Sequence, residues 1–239
     1  QASCFVAASL HRAMSLLSSA PLDACKTVHF IRHAQAESNA AAYKHPKRSP
    51  EYYAAYRDVR YFDSVLTEVG KEMCKERSEQ LKAAPQKYRV EAVISSPLRR
   101  ALQTAAIVFD SPGVTRLAVE AARETGQGHP HPCDNRRSRD EQMKDFPDVD
   151  FSAVPEGEDA FNVEAETEED VDRRIHELFR FLAARREREL AVVSHTGFLT
   201  RLFKEHFGWP AEKAPFANCE LRSMVLQFGD VEPAAAPES

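Results

Sequence analysis

The chain has 239 residues, 43% of them hydrophobic and 29% charged, a globular balance long enough for one substantial core or two small ones. A net charge of −5 argues against nucleic acid as the main partner, and no apolar run approaches the roughly eighteen residues of a membrane-spanning helix. Cys4, Cys25, Cys74, Cys133 and Cys219 lack paired spacing and read as reduced thiols, which sets the expectation of a cytoplasmic protein.

In chain order, residues 1–25 form a Ser/Ala-rich stretch with no acidic residue before Asp23. It reads as a flexible leader, either the remnant of a transit peptide, which would imply organelle import, or a tag-derived extension. Val28, Phe30 and Ile31 mark a first buried strand. Residues 40–63, rich in Tyr, Arg, Lys and Pro, read as an irregular or short-helical excursion, and Tyr52 to Tyr61 as either packing or part of a lid. Thr67 is placed to cap a helix that Pro85 ends.

Ala92 to Ile94 read as a second strand, with Ser96 as the cap of the next helix and Pro97 at its first position. A short strand is expected near Leu117 to Val119. Residues 121–165 have few apolar repeats and read as a substrate-pocket insertion within one domain over 26–229. Thr167 and Asp170 suggest a capping box, followed by Val171, Ile175, Leu178 and Leu182 on one helical face. Leu190 to Val193 give a third strand, and Met224, Leu226 and Phe228 alternate as an edge strand. The Pro/Ala/Glu tail over 230–239 reads as disordered.

Strands alternating with helices predict a three-layer α/β/α fold, with a mainly parallel sheet and an antiparallel edge strand. Three buried strands run into the polar clusters IRHAQAESN, ISSPLRRA and VVSHTG. In a parallel sheet these share the edge where such folds bind ligands. Arg32, His33, Asn39, Arg99 or Arg100, and His195 would then converge. That set suits a phosphate, because guanidinium groups grip a dianion through forked hydrogen bonds and a histidine can act as nucleophile.

These motifs resemble those of the histidine phosphatase superfamily, the phosphoglycerate mutase-like proteins, in order and spacing over about residues 27 to 228. RHAQAESN resembles the family's RHGxxxxN signature, with Ala34 in place of its glycine. The resemblance implies a phosphoglycerate mutase-like fold. It makes His33 the phosphate-accepting nucleophile, with Arg32, Asn39, Arg100 and His195 around the phosphate. Arg100 is preferred to Arg99 because it precedes Ala101, as in the family's L-x-R-A pattern. The family's general acid, a glutamate in an E-x-x-x-G context, falls best on Glu124 with Gly128; Glu120 and Asp134 are the neighbouring carboxylates.

HPHPCDNRRS resembles a motif of plant and fungal members, which would put His131, Arg136 and Arg137 at the substrate end of the pocket; a structural loop is the competing reading. His129, His131 and Cys133 make an incomplete ligand pattern, so no metal is expected. The implied activity is phosphoryl transfer through phosphohistidine, on a small phosphorylated metabolite or a phosphoprotein, by a monomer or homodimer, with no nucleic acid or membrane partner. The mutase signature ERxYGxLQG is replaced here by RETGQGHPHPCD, which favours a phosphatase that needs no cofactor over a mutase that uses 2,3-bisphosphoglycerate. A catalytically silent phosphate-binding protein is the reading from another class.

Overall fold

The computed structural model describes residues 6–9, 25–126, 131–157, 159 and 165–228. Gly128, the 230–239 tail, most of the 1–25 leader and parts of the 121–165 insertion lie outside these residues.

The strands are β1 (Val6–Ser9), β2 (Cys25–Arg32), β3 (Ala92–Ser95), β4 (Thr115–Val119), β5 (Asp150–Ala153), β6 (Glu189–Ser194) and β7 (Leu221–Gln227). They form one sheet in the order β1-β7-β2-β6-β3-β4-β5. From β2 to β5 neighbouring strands are parallel, whereas β7 runs antiparallel to both β2 and β1.

Period-two alternation splits the core into two layers. Val28, Phe30, Ala92, Ile94, Leu190 and Val192 face one way. There they meet Val171, Ile175, Leu178 and Leu182 of helix α6 (Glu168–Ala184), and Phe198 and Leu199 of α7 (Thr196–Arg201). A π-helical turn, Leu202–His206, continues α7. Ile31, Val93, Ala191 and Val193 face the other way, onto Cys74 and Leu81 of α3 (Glu68–Lys82) and Ala101, Ala105 and Val108 of α4 (Arg99–Val108). Burying one such side chain fully contributes about 1.5–3 kcal/mol. The two layers therefore fix the register of every central strand, since a one-residue slip would reverse both faces. The expected three-layer architecture is present.

Local chemistry sets the element ends. Thr67 Oγ1 accepts from Gly70 N at 2.9 Å and starts α3, while Thr167 and Asp170 form a reciprocal capping box on α6. Ser96 does not cap α4. The helix begins after Leu98, and the Ser96 hydroxyl, two residues upstream of that cap, accepts from Leu98 N at 3.3 Å and from the His195 ring.

One further expectation needs correction. The alternating segment near Met224 is not an edge strand, because β1, from the stretch read as a flexible leader, pairs with the outer side of β7. The 121–165 insertion contributes regular structure, α5 (Arg139–Asp145) and the sheet strand β5. The excursion after β2 is short-helical, one of its two expected forms, with α1 (Glu37–Ala42) leading into it and α2 (Pro50–Tyr56) within it. Among the described residues, Cys25, Cys74, Cys133 and Cys219 are free, and no helix is long and apolar enough to cross a membrane.

Candidate active site

Parallel pairing brings three strand ends together. Arg32 of β2 sits opposite Ser194 of β6, and Ser95 of β3 opposite Val193. The residues that follow, His33, Ser96 and His195, leave the sheet at one edge and are nearly fully buried. A cavity of about 280 Å³ opens there, with Arg32, His33, Asn39, Arg100 and Glu124 in its wall.

The turn after His33 is held from both sides. His33 N donates to Ser194 O at 2.9 Å, and Ala34 N donates to Thr104 Oγ1 at 3.0 Å. Ala34 is not among the residues with positive φ, so alanine costs no backbone strain where the family has glycine. Further along, Gly70 lets α3 approach the loop: a Cβ there would stand 2.1 Å from Gln35 O.

The tautomers of both histidines follow from their partners. His33 Nδ1–H donates to Ala34 O at 2.7 Å, which leaves the lone pair on Nε2, where Arg100 Nε–H donates at 3.2 Å. His195 Nδ1 accepts from Arg100 Nη2 at 3.0 Å, so its Nε2–H donates to Ser96 Oγ at 2.7 Å. The two rings lie 4.9 Å apart, tilted by 56°. Burial first, and then the Arg100 charge, hold both imidazoles well below the ordinary histidine pKa. Both are neutral at physiological pH.

Arg100 is committed mainly to protein partners. Besides the two rings it donates to Cys133 O and, at 2.7 Å, to Asp134 Oδ1. Arg32 donates to Phe216 O at 2.9 Å and to Tyr43 Oη at 3.0 Å, while its Nε is buried with no hydrogen-bond partner among the described residues. A buried, unpaired guanidinium nitrogen in a cavity wall is a donor suited to an anion. Asn39 accepts from Ala36 N at 3.1 Å through Oδ1 and donates to Tyr56 Oη at 3.1 Å, which fixes it in the wall.

Across the cavity, the Glu124 carboxylate accepts from Thr125 N at 2.9 Å, Phe198 N at 3.0 Å and Gly197 N at 3.2 Å. Desolvation in the pocket, and next the nearby Asp134 charge, raise its pKa above the usual glutamate value against the pull of those amides. A raised carboxyl in a pocket is a candidate proton donor. Gly197 is needed for this packing, since a Cβ there would lie 2.6 Å from both Glu124 Oε1 and Thr125 Oγ1. The Glu124 loop is clamped from behind by Arg174 of α6. Its guanidinium donates to Ala121 O at 3.0 Å, Arg123 O at 3.1 Å and Glu124 O at 3.2 Å, and pairs with Glu166 at 2.5 Å.

The geometry separates the candidates. Glu120 pairs with Arg123 and Arg136 away from the cavity; Asp134 lines it but is engaged by Arg100. Arg99 lies outside the cavity, its backbone N bonded to Asp63 and its side chain near Asp145. His131 lines the cavity against the Tyr56 ring at 5.6 Å. Arg136 and Arg137 do not. Arg136 is buried in bonds to Glu120, Pro155 O and Gly157 O, and Arg137 N bonds to Asp63. Arg136 holds the insertion together because a carboxylate and carbonyls from the insertion and its flanks are nearer than the pocket. Lys47, Arg48, Asn218, Tyr43 and Arg174 escaped the sequence reading: the first two reach the cavity wall from an irregular turn, and the other three act through partners distant in sequence, which no local motif marks.

A neutral buried imidazole, two buried guanidinium groups and an opposed carboxyl with a raised pKa form a cavity suited to phosphoryl transfer. The sequence profile of the histidine phosphatase superfamily (branch 1) matches residues 28–234, and the chain belongs to that family. An Arabidopsis thaliana protein called phosphoglycerate mutase-like protein is 34% identical over 243 residues, covering 86% of each chain. Among solved structures, the fold is similar to an ecdysone phosphate phosphatase from Bombix mori in complex with tungstate (TM-score 0.58, 14% identity, 90% of this chain and 96% of that one). It is also similar to a mycobacterial glucosyl-3-phosphoglycerate phosphatase (TM-score 0.52, 18% identity, 84% and 90%).

Proposed function

We propose that the protein hydrolyses a phosphomonoester through a phosphohistidine on His33. One observation carries the reading: the His33 tautomer is fixed by Ala34 O, and its Nε2 lone pair lies at a cavity walled by Arg32, Arg100 and Glu124. In this scheme Arg32, Arg100 and Asn39 surround the transferring phosphoryl group, and the arginines stabilise charge on its equatorial oxygens. His195, expected as a phosphate ligand, is absent from the cavity wall and acts through Arg100 instead, since its two ring nitrogens are taken by Arg100 and Ser96. Nε2 attacks phosphorus in line while the ester P–O bond breaks. Glu124 gives its proton to the leaving alkoxide oxygen, then takes one from the water that attacks the phosphohistidine. The products are an alcohol and inorganic phosphate, with His33 and Glu124 returned to their starting states. No metal or organic cofactor enters the scheme.

A mutase would differ only in the fate of the phosphohistidine, returned to another hydroxyl of a phosphoglycerate after priming by 2,3-bisphosphoglycerate. The names of the Arabidopsis relatives favour that alternative. The departure of RETGQGHPHPCD from the mutase signature disfavours it. Phosphorus NMR with 3-phosphoglycerate, with and without catalytic 2,3-bisphosphoglycerate, separates the two. Free phosphate that disappears in His33→Ala supports hydrolysis; 2-phosphoglycerate formed in a His33-dependent way makes the protein a mutase. If 3-phosphoglycerate yields neither product, the same His33-dependence is sought over a panel of phosphorylated metabolites. A wild-type protein silent across that panel would leave the phosphate-binding reading.

A further inference from the structure

The outer part of the His33 cavity differs chemically from its floor. Lys47, Arg48, Tyr52, Tyr53, Tyr56 and His131 line it together with the phosphate-facing residues. The aromatic members form one connected patch. Tyr52 meets Tyr53 and Tyr56 edge-to-face at 5.5 and 5.2 Å, and Tyr56 packs on the His131 ring at 5.6 Å. Asn39 Nδ2 donates to Tyr56 Oη at 3.1 Å, which joins the patch to the floor of the site. Aromatic faces on a cavity wall suit a flat apolar ring, which gains from offset or edge contacts beyond simple burial.

The cations give a second, independent constraint. The cavity wall carries Arg32, Lys47, Arg48 and Arg100 against the carboxyls of Glu124 and Asp134. Asp134 is engaged by Arg100 at 2.7 Å, and Glu124 is held by three backbone amides. A phosphate on the floor meets Arg32 and Arg100. Lys47 and Arg48 are then left without a counter-charge, since neither forms an ion pair among the described residues. They are held side by side in a turn in which Ser49 N donates to Pro46 O at 3.0 Å. Arg48 sits there at φ 69°, a conformation that side-chain-bearing residues seldom adopt.

We propose that the preferred substrate is a phosphomonoester whose alcohol part is a flat ring carrying a second anionic group, the ring packed against Tyr52 and Tyr56 and the anion paired with Lys47 and Arg48. This rests on the floor of the cavity being a phosphate site.

Isothermal titration calorimetry of the full chain with phenylphosphonate and 4-carboxyphenylphosphonate tests it without requiring turnover. The carboxylated probe is expected to bind about tenfold more tightly, the order that two exposed ion pairs supply. The Lys47→Ala/Arg48→Ala double variant brings the ratio to about one, with a much larger loss of affinity for the carboxylated probe than for phenylphosphonate. High salt shrinks the preference, because exposed charges are screened. Tyr52→Ala weakens both probes but not methylphosphonate. Equal affinities in the wild type, a preference that survives the double variant, or no binding of either probe would each overturn the proposal. Release of phosphate from phenyl phosphate, with His33→Ala as control, tests the hydrolytic reading separately. Hydrolysis without a carboxylate preference sinks the outer site alone, and a binding preference without hydrolysis sinks the phosphatase reading alone.

Discussion

Gly197→Ala should disable the acid while sparing the nucleophile. The added Cβ would lie 2.6 Å from Glu124 Oε1 and Thr125 Oγ1, about 0.8 Å short of ordinary contact. Residue 197 cannot retreat, because its N–H is one of the donors to Glu124 and the next amide, Phe198 N, is another. The far end of Glu124 therefore moves, and its amide hydrogen bonds are strained or lost. We expect a stability cost of about 1–3 kcal/mol, the usual range for overpacking, so the fold survives. The consequence for catalysis depends on the leaving group. An alkyl phosphate needs a proton on its departing oxygen, and general-acid catalysis is worth about 10²–10⁴-fold. A p-nitrophenyl ester departs as a stable anion and needs little help. The kcat/KM for an alkyl phosphate should fall by about a hundredfold, and that for p-nitrophenyl phosphate by less than about tenfold. Steady-state kinetics on both esters, with thermal melts to show that the variant is folded, decide the matter. Equal losses on the two esters, or no loss on either, would refute the placement of Glu124 as the acid held by Gly197.

Arg174→Lys keeps the charge beside Glu166 but cannot reach the carbonyls of Ala121, Arg123 and Glu124 together; it should reproduce the ester-selective loss at about tenfold, and a uniform loss on both esters would contradict a positioning role. Arg32→Lys removes the forked donors, including the unpaired Nε, and should raise the inhibition constant for inorganic phosphate by at least about tenfold; an unchanged constant would place the anion elsewhere. His33 and His195 stay neutral in the fold, whereas the unfolded chain protonates each near pH 6.5, so each lowers stability as pH falls below that value by up to about 1.4 kcal/mol per pH unit. Asp63, raised to about 6 by burial, works in the opposite sense, gaining stability as pH falls through that value. The test is therefore the difference between wild type and His195→Gln in denaturation series between about pH 7.5 and 5.5. The variant should show the shallower loss, and identical slopes would overturn the assignment of a buried neutral His195.

What was legible in the sequence was what depends on short-range order. The strand ends at Arg32, Ser95 and Ser194 could be read because a fully buried parallel strand is a brief apolar run that stops at polar residues. Thr67 and Thr167 could be read because a cap and its partner lie within three residues. Ser96 misled because the helix starts two residues later, after Leu98, and the Ser96 hydroxyl serves Leu98 N and the His195 ring, 99 residues away. β5 was hidden because Asp150–Ala153 is four residues long with a single fully buried side chain, Phe151, too little for a periodicity. Arg136 and Arg137 show the general difficulty. A guanidinium after a histidine-rich motif could face a ligand or a carboxylate, and for Arg136 the choice falls to Glu120 and the backbone of Pro155 and Gly157, whose positions are a matter of tertiary structure.

In the proposed hydrolysis, the geometry of the site also gives a reason why both histidines and Arg100 need one another. The His33 Nε2 lone pair required for attack accepts from Arg100 Nε, but at 3.2 Å, the long end of the hydrogen-bond range. A phosphoryl oxygen carries formal charge and is a stronger acceptor than a neutral ring, so an arriving phosphate competes well for that N–H. His195 adds to the bias. Its Nδ1 accepts from Arg100 Nη2 at 3.0 Å and helps fix the plane of the guanidinium. The guanidinium is thus already oriented when it changes acceptors, and only the His33 contact has to be exchanged. Binding and unmasking of the nucleophile then become one event. Before phosphate arrives His33 is covered; once it is bound, the same arginine faces the oxygens that gain charge during transfer.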